Sequence, residues 1–141
     1  MAITWDPRFA LGVEVIDDQH REIFRRVDVL LDAVRSGRST REVGKLIAFL
    51  GDYVITHFRE EEALMRDRAY PGLALQQAQH AAFIQEIGAL RTEHERDGAS
   101  ALLVVRVNAR VTAWLFDHIV RADGLLSAFL HETAAAARPR A

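Results

Sequence analysis

Apolar residues recur every three or four positions along most of the chain, and the dipeptides Ser36-Gly37, Pro71-Gly72 and Asp97-Gly98 cut that pattern into stretches of similar length. The first stretch follows the possible caps Asp17 and Asp18 and carries His20, Ile23, Phe24, Val27, Leu31 and Val34. The second opens on Ser39 with Glu42 three residues later, a capping-box pattern, and runs through Val43, Leu46, Ile47, Leu50, Val54, His57, Glu61, Leu64 and Met65. The third starts after Pro71, a residue suited to a first helical position, and carries Leu73, Gln76, His80, Phe83, Ile84, Ile87 and Leu90. The fourth carries Val104, Val107, Val111, Trp114, Leu115 and His118 and is expected to stop near Gly124. Each stretch reads as an amphipathic helix of roughly 20 residues, about 30 Å long at 1.5 Å per residue.

All three prolines lie outside these stretches, and short connections favour antiparallel neighbours. The pattern predicts an all-α fold, an antiparallel up-down-up-down four-helix bundle with an N-terminal arm and a short C-terminal helix. Its parts are an arm over residues 1–16, a bundle over 17–124, and a helix and tail over 125–141 that fray from Arg138 to Ala141. A length of 141 residues, half of them hydrophobic, suits one domain.

Composition narrows the chemistry. A formal net charge of -2 provides no basic field for nucleic acid or an anionic membrane. No uncharged apolar run approaches the roughly 18 residues of a spanning helix, and the start MAITWDPRF lacks both a basic and an apolar run, so a cytoplasmic protein is expected. With no cysteine in the chain, disulfides, thiolate nucleophiles, Cys-ligated zinc and iron–sulfur clusters are excluded, and any metal must be held by nitrogen and oxygen.

Four histidines, His20, His57, His80 and His118, fall in phase with the apolar face of four different helices. They are therefore expected to meet inside the bundle. Burying imidazoles and acids without partners costs a few kcal/mol each, and a metal is the simplest compensation. His57 and Glu61, four residues apart, project from one helix face, whereas His118 and Asp123, five apart, diverge by about 140° on an ideal helix. A helix end at Gly124 would relax that divergence. Imidazole with carboxylate suits iron, zinc or manganese, and two acids able to bridge favour two ions over one. Glu60 and Glu62 read as a solvated acidic run, Trp114 as a core aromatic, and His94 and His131 as ordinary surface histidines.

In order and spacing these residues resemble the hemerythrin family in its bacterial single-domain form, from Trp5 to about Phe129. Asp17-Asp18-Gln19-His20 resembles the family's first histidine motif, and His57-Phe58-Arg59-Glu60-Glu61-Glu62 followed by Leu64-Met65 its HxxxE element. Tyr70-Pro71 precedes the third element, and His118-Ile119 with Asp123 completes the set. The resemblance implies two non-heme irons, oxo- or hydroxo-bridged, one held by His20 and His57, the other by His80 and His118, with Glu61 and Asp123 bridging. It further implies dioxygen as ligand, in a pocket lined by Ile23, Trp114, Leu115 and Ile119. One position departs from the family. Its third element reads HxxxH, and the earlier histidine is here Gln76. A neutral amide oxygen is a weaker donor to iron than imidazole. Three outcomes follow, in order of expectation: Gln76 ligates directly, it holds a water that ligates, or the site takes one metal or a different one.

The expected function is oxygen storage, delivery or sensing by a non-enzymatic monomer without nucleic-acid or membrane partners. The alternatives are a di-iron enzyme acting on peroxide or nitric oxide, and a metal-poor or zinc-bound interaction bundle.

Overall fold

The computed structural model describes residues 4–137. Four long rods dominate it: α1 (Glu14–Arg35), α2 (Ser39–Asp67), α3 (Leu73–Asp97) and a fourth in which α4 (Ala101–Trp114), a π-helical segment (Leu115–Ala122) and α5 (Asp123–Ala137) follow without a break. Connections of a few residues turn each rod back on its predecessor. At two of them glycine supplies the left-handed backbone an L side chain resists: Gly37 and Gly98 both have φ 73°. α2 packs along α1 and α3, while α4 closes the bundle against the other three. The four-helix architecture is the predicted one.

One apolar cluster fills the bundle, from Ile23, Phe24, Val27 and Leu30 on α1 through Leu46, Leu50 and Val54 on α2 to Phe83 and Ile87 on α3 and Leu103, Val107 and Val111 on α4. A second, of Leu11, Ile16, Met65, Leu126 and Leu130, closes one end with Tyr70 and Phe129 packed against it. The polar cluster described below belongs to neither set. Ile84, placed on the core face by its spacing, is exposed.

Helix ends depart from the sequence reading in instructive ways. α1 starts at Glu14, ahead of Asp17 and Asp18. Asp17 does not cap; its buried carboxylate accepts hydrogen bonds from the backbone N–H of Leu11 at 2.7 Å and of Gly12 at 3.2 Å, tying the arm to the bundle. Ser39 is the first residue of α2 and makes no capping bond, and Glu42 instead lies 3.4 Å from Lys45. Pro71 sits in the turn before α3, with Gly72 in the cap position. The fourth rod runs through Gly124, which falls inside α5. The tail from Arg138 lies outside the described residues, as do the first three residues of the arm. No described helix is long and apolar enough to cross a membrane.

Candidate metal centre

His20 of α1, His57 and Glu61 of α2, His80 of α3, His118 of the π segment and Asp123 of α5 all converge, each at most 2% exposed. Their inward atoms form two sets. In the first, His20 Nε2 lies 3.1 Å from His57 Nε2, and 3.3 Å from both Glu61 Oε2 and Asp123 Oδ2. In the second, His80 Nε2 lies 3.0 Å from His118 Nε2, with Glu61 Oε1 3.5 Å from the former and Asp123 Oδ1 3.5 Å from the latter. Glu61 turns one oxygen to each set, which is the geometry of a bridging carboxylate, while Asp123 joins the first set through Oδ2 and reaches the second only at His118. Two donors about 2.1 Å from one ion stand about 3.0 Å apart at a right angle and about 3.4 Å apart at a tetrahedral one, so the atoms of His20, His57, Glu61 and Asp123 fit one cation and those of His80, His118 and Glu61 another. Glu61 Oε1 and Asp123 Oδ2 are buried with no hydrogen-bond partner among the described residues, as atoms reserved for a cation would be.

The π segment explains why His118 and Asp123 share a site despite a spacing of five. The backbone N–H of Asp123 bonds to the carbonyl of His118, an i→i−5 link whose wider turn takes in one extra residue and brings both side chains to one face. It replaces the helix end that the spacing suggested. Such local widening is frequent at functional sites.

A second layer of hydrogen bonds decides where the imidazole protons sit. Glu60 can only accept, so Gln19 turns its amide nitrogen to Glu60 and its Oε1 to His57 Nδ1, at 2.8 Å. His118 Nδ1 donates to Gln79 Oε1 at 3.1 Å, and His80 Nδ1 to Glu62 Oε2 at 2.8 Å. With these protons on Nδ1, Nε2 of His57, His80 and His118 presents a lone pair inward. Two lone pairs 3.0 Å apart, as at His80 and His118, repel unless a positive centre lies between them.

Charge follows the same logic. Burial lowers the His57 pKa below the usual histidine value. At His20 burial is outweighed by hydrogen bonds and charge from Asp123 and Glu61, and the pKa is pushed up to about 10. Burial also works against the Glu61 anion, yet His118, His20, His57 and His80 hold its pKa well below the carboxylate range. Burial and the Glu61 charge raise that of Asp123. The cluster thus holds a proton where cations would otherwise balance its acids.

The structure brings together six of the residues expected at the site and places Gln76 beside them. Gln76 is buried, and its Nε2 donates to Asp123 Oδ1 at 3.0 Å. Ile23, Trp114, Leu115 and Ile119 are buried in the main core. Trp114 stacks on His118 with ring centroids 4.9 Å apart, and Phe58 on His80 at 3.9 Å. His94 packs over Gly44 and His131 bonds to the Ser127 carbonyl, both away from the cluster. The solvated reading of Glu60 and Glu62 is corrected: both are half-buried and hold the second layer. Gln19 and Gln79 went unremarked as functional residues. The signal was a repeated Gln-His dipeptide, Gln19-His20 and Gln79-His80, in which each glutamine serves the histidine of the next helix.

A helical bundle with nitrogen and oxygen donors in two facing, buried sets defines a cation-binding protein of the histidine–carboxylate class. Residues 11–130 match the family described as "Hemerythrin HHE cation binding domain", and the chain belongs to the hemerythrin family. The bacteriohemerythrin of Methylococcus capsulatus is 32% identical over 128 residues, covering 87% of this chain and 92% of that protein. The myohemerythrin of Sipunculus nudus is 26% identical over 119 residues, 84% of this chain and 86% of that one. A wild-type hemerythrin crystal structure superposes with a TM-score of 0.76 at 30% identity, covering 92% of this chain and 98% of that chain.

Proposed function

We propose that this protein is a non-heme di-iron protein that binds dioxygen reversibly, for storage, delivery or sensing. His20 and His57 would hold one iron, His80 and His118 the other, with Glu61 and Asp123 shared between them. The observation that carries the reading is the pairing of inward imidazole nitrogens in two sets that share Glu61, with Asp123 set between the first and His118. A pair of ferrous ions, when bound, supplies a redox-active place for dioxygen to attach. The chain supplies the rest. Gln19, Glu62 and Gln79 hold the imidazoles in the ligating tautomer. Ile23, Trp114, Leu115 and Ile119 keep bulk water from the cluster. Glu61 and Asp123 offset two of the four positive charges of two divalent ions. Membership of the hemerythrin family and its relatives named bacteriohemerythrin and myohemerythrin support the same ligand.

Metal analysis with an anaerobic optical titration tests this. The iron-loaded protein is expected to hold two irons per chain and to take up dioxygen reversibly with a charge-transfer band; fewer than one metal per chain, or catalytic consumption of peroxide, overturns it. His57→Ala or Glu61→Ala should abolish loading, whereas His94→Ala and His131→Ala should not. Equal metal content across the four variants would refute the ligand set.

A further inference from the structure

Each half of the centre has two imidazoles and an oxygen of Glu61, but Asp123 is a full member of the His20–His57 half and reaches the other only at His118, where one further buried group stands. Gln76 stands beside the His80–His118 half, where its Nε2 donates to Asp123 Oδ1 at 3.0 Å. A carboxylate only accepts, so the atom facing it must be the amide nitrogen, which has no lone pair to offer a metal. The orientation of the amide is therefore set by Asp123 and not by a choice between equivalent atoms. Its oxygen is the remainder. Gln76 is 3% exposed, and Oε1 is buried with no hydrogen-bond partner among the described residues. Buried carbonyls nearly always find a donor, and three of the groups around this one are already committed. Asp123 takes the amide nitrogen, His80 Nδ1 gives its proton to Glu62, and His118 Nδ1 gives its proton to Gln79.

We propose that Gln76 offers its Oε1 as a hydrogen-bond acceptor to a small, hydrogen-bearing ligand at the His80–His118 half, of the class of water, hydrogen peroxide or hydrazine. The proposal rests on the di-metal reading above. It makes the two halves chemically distinct. Dioxygen carries no hydrogen and cannot satisfy Oε1, whereas a protic molecule of water or peroxide size can. Gln76 is then a specificity residue, acting through a single acceptor atom in a site otherwise furnished with lone pairs and anions.

Cobalt(II), loaded anaerobically, tests this through visible bands that report coordination, with hydrazine as the hydrogen-bearing probe and azide as the probe without hydrogen. Wild-type protein, Gln76→Leu and Gln76→Met are compared, the methionine variant keeping the length of the side chain without its acceptor. Both variants should retain two cobalt ions per chain. Both should lose hydrazine affinity by about tenfold, as expected for one hydrogen bond, while azide affinity stays within about twofold. Loss of one cobalt per chain in the variants would mean that Gln76 is a ligand and overturns the proposal. Equal weakening of both probes overturns the selectivity. Failure of the wild-type protein to hold two cobalt ions strikes the di-metal reading itself and is distinguishable from either.

Discussion

At the scale of single residues, the division of labour between Nδ1 and Nε2 governs the site. Each of His57, His80 and His118 spends its Nδ1 proton on an oxygen of Gln19, Glu62 or Gln79, which leaves Nε2 as a ligand atom. Removing such a partner typically weakens metal binding about 10–100-fold without touching a ligand. Gln79→Leu should show that loss in competition with a chelator. Gln79→Glu, which keeps an oxygen for His118, should restore most of the affinity. Equal loss in both variants would reduce Gln79 to packing. Six of the seven polar side chains at the centre were legible from their phase on the apolar stripes, whereas Asp123, five residues after His118, was out of phase and entered only through the family resemblance. The partners Gln19, Gln79, Glu60 and Glu62 were not legible, because each lies one position off a stripe and its purpose is set by the neighbouring helix.

At the scale of elements, the fourth rod is the informative one. A π segment is an α-helix carrying one residue too many, and here that residue separates His118 from Asp123 by five positions while keeping both on one face. Deleting Arg121, which is exposed, shortens the spacing to four, about 400° of ordinary α-helix, so both side chains still point inward. Metal content should survive that deletion. Inserting alanine after Arg121 instead carries Asp123 off the face and should leave the protein unable to hold two metals. Loading the two variants with cobalt and counting ions per chain checks the pair; retention by the insertion and loss by the deletion would reverse the assignment. Periodicity alone favoured a helix end at Gly124, since a regular α-helix was the only geometry it could test.

For the whole molecule, the buried cluster couples stability to protons and metals. The His20 pKa is about 10 in the folded protein against an ordinary value of 6.5. The folded state therefore holds the proton more tightly than the unfolded chain. The resulting stability is fully present below pH 6.5 and is lost as the pH rises through about 10. His80, also raised, adds in the same sense. Metal-free protein should lose on the order of a few kcal/mol across that window, seen as a falling calorimetric midpoint, whereas metal should displace the proton and bind more tightly as pH rises. A midpoint that is flat or climbing from pH 6.5 to 10 in chelator-treated protein would contradict the His20 assignment. What the sequence determined by itself was the number of helices, their antiparallel order and the polar residues that share their inner faces, because helical periodicity is local and short connections leave few topologies. Only the tertiary structure decided which oxygen of each acid serves which set, where the imidazole protons sit and how the amide of Gln76 is turned. Those choices depend on atoms brought together from different helices, and no local spacing contains them.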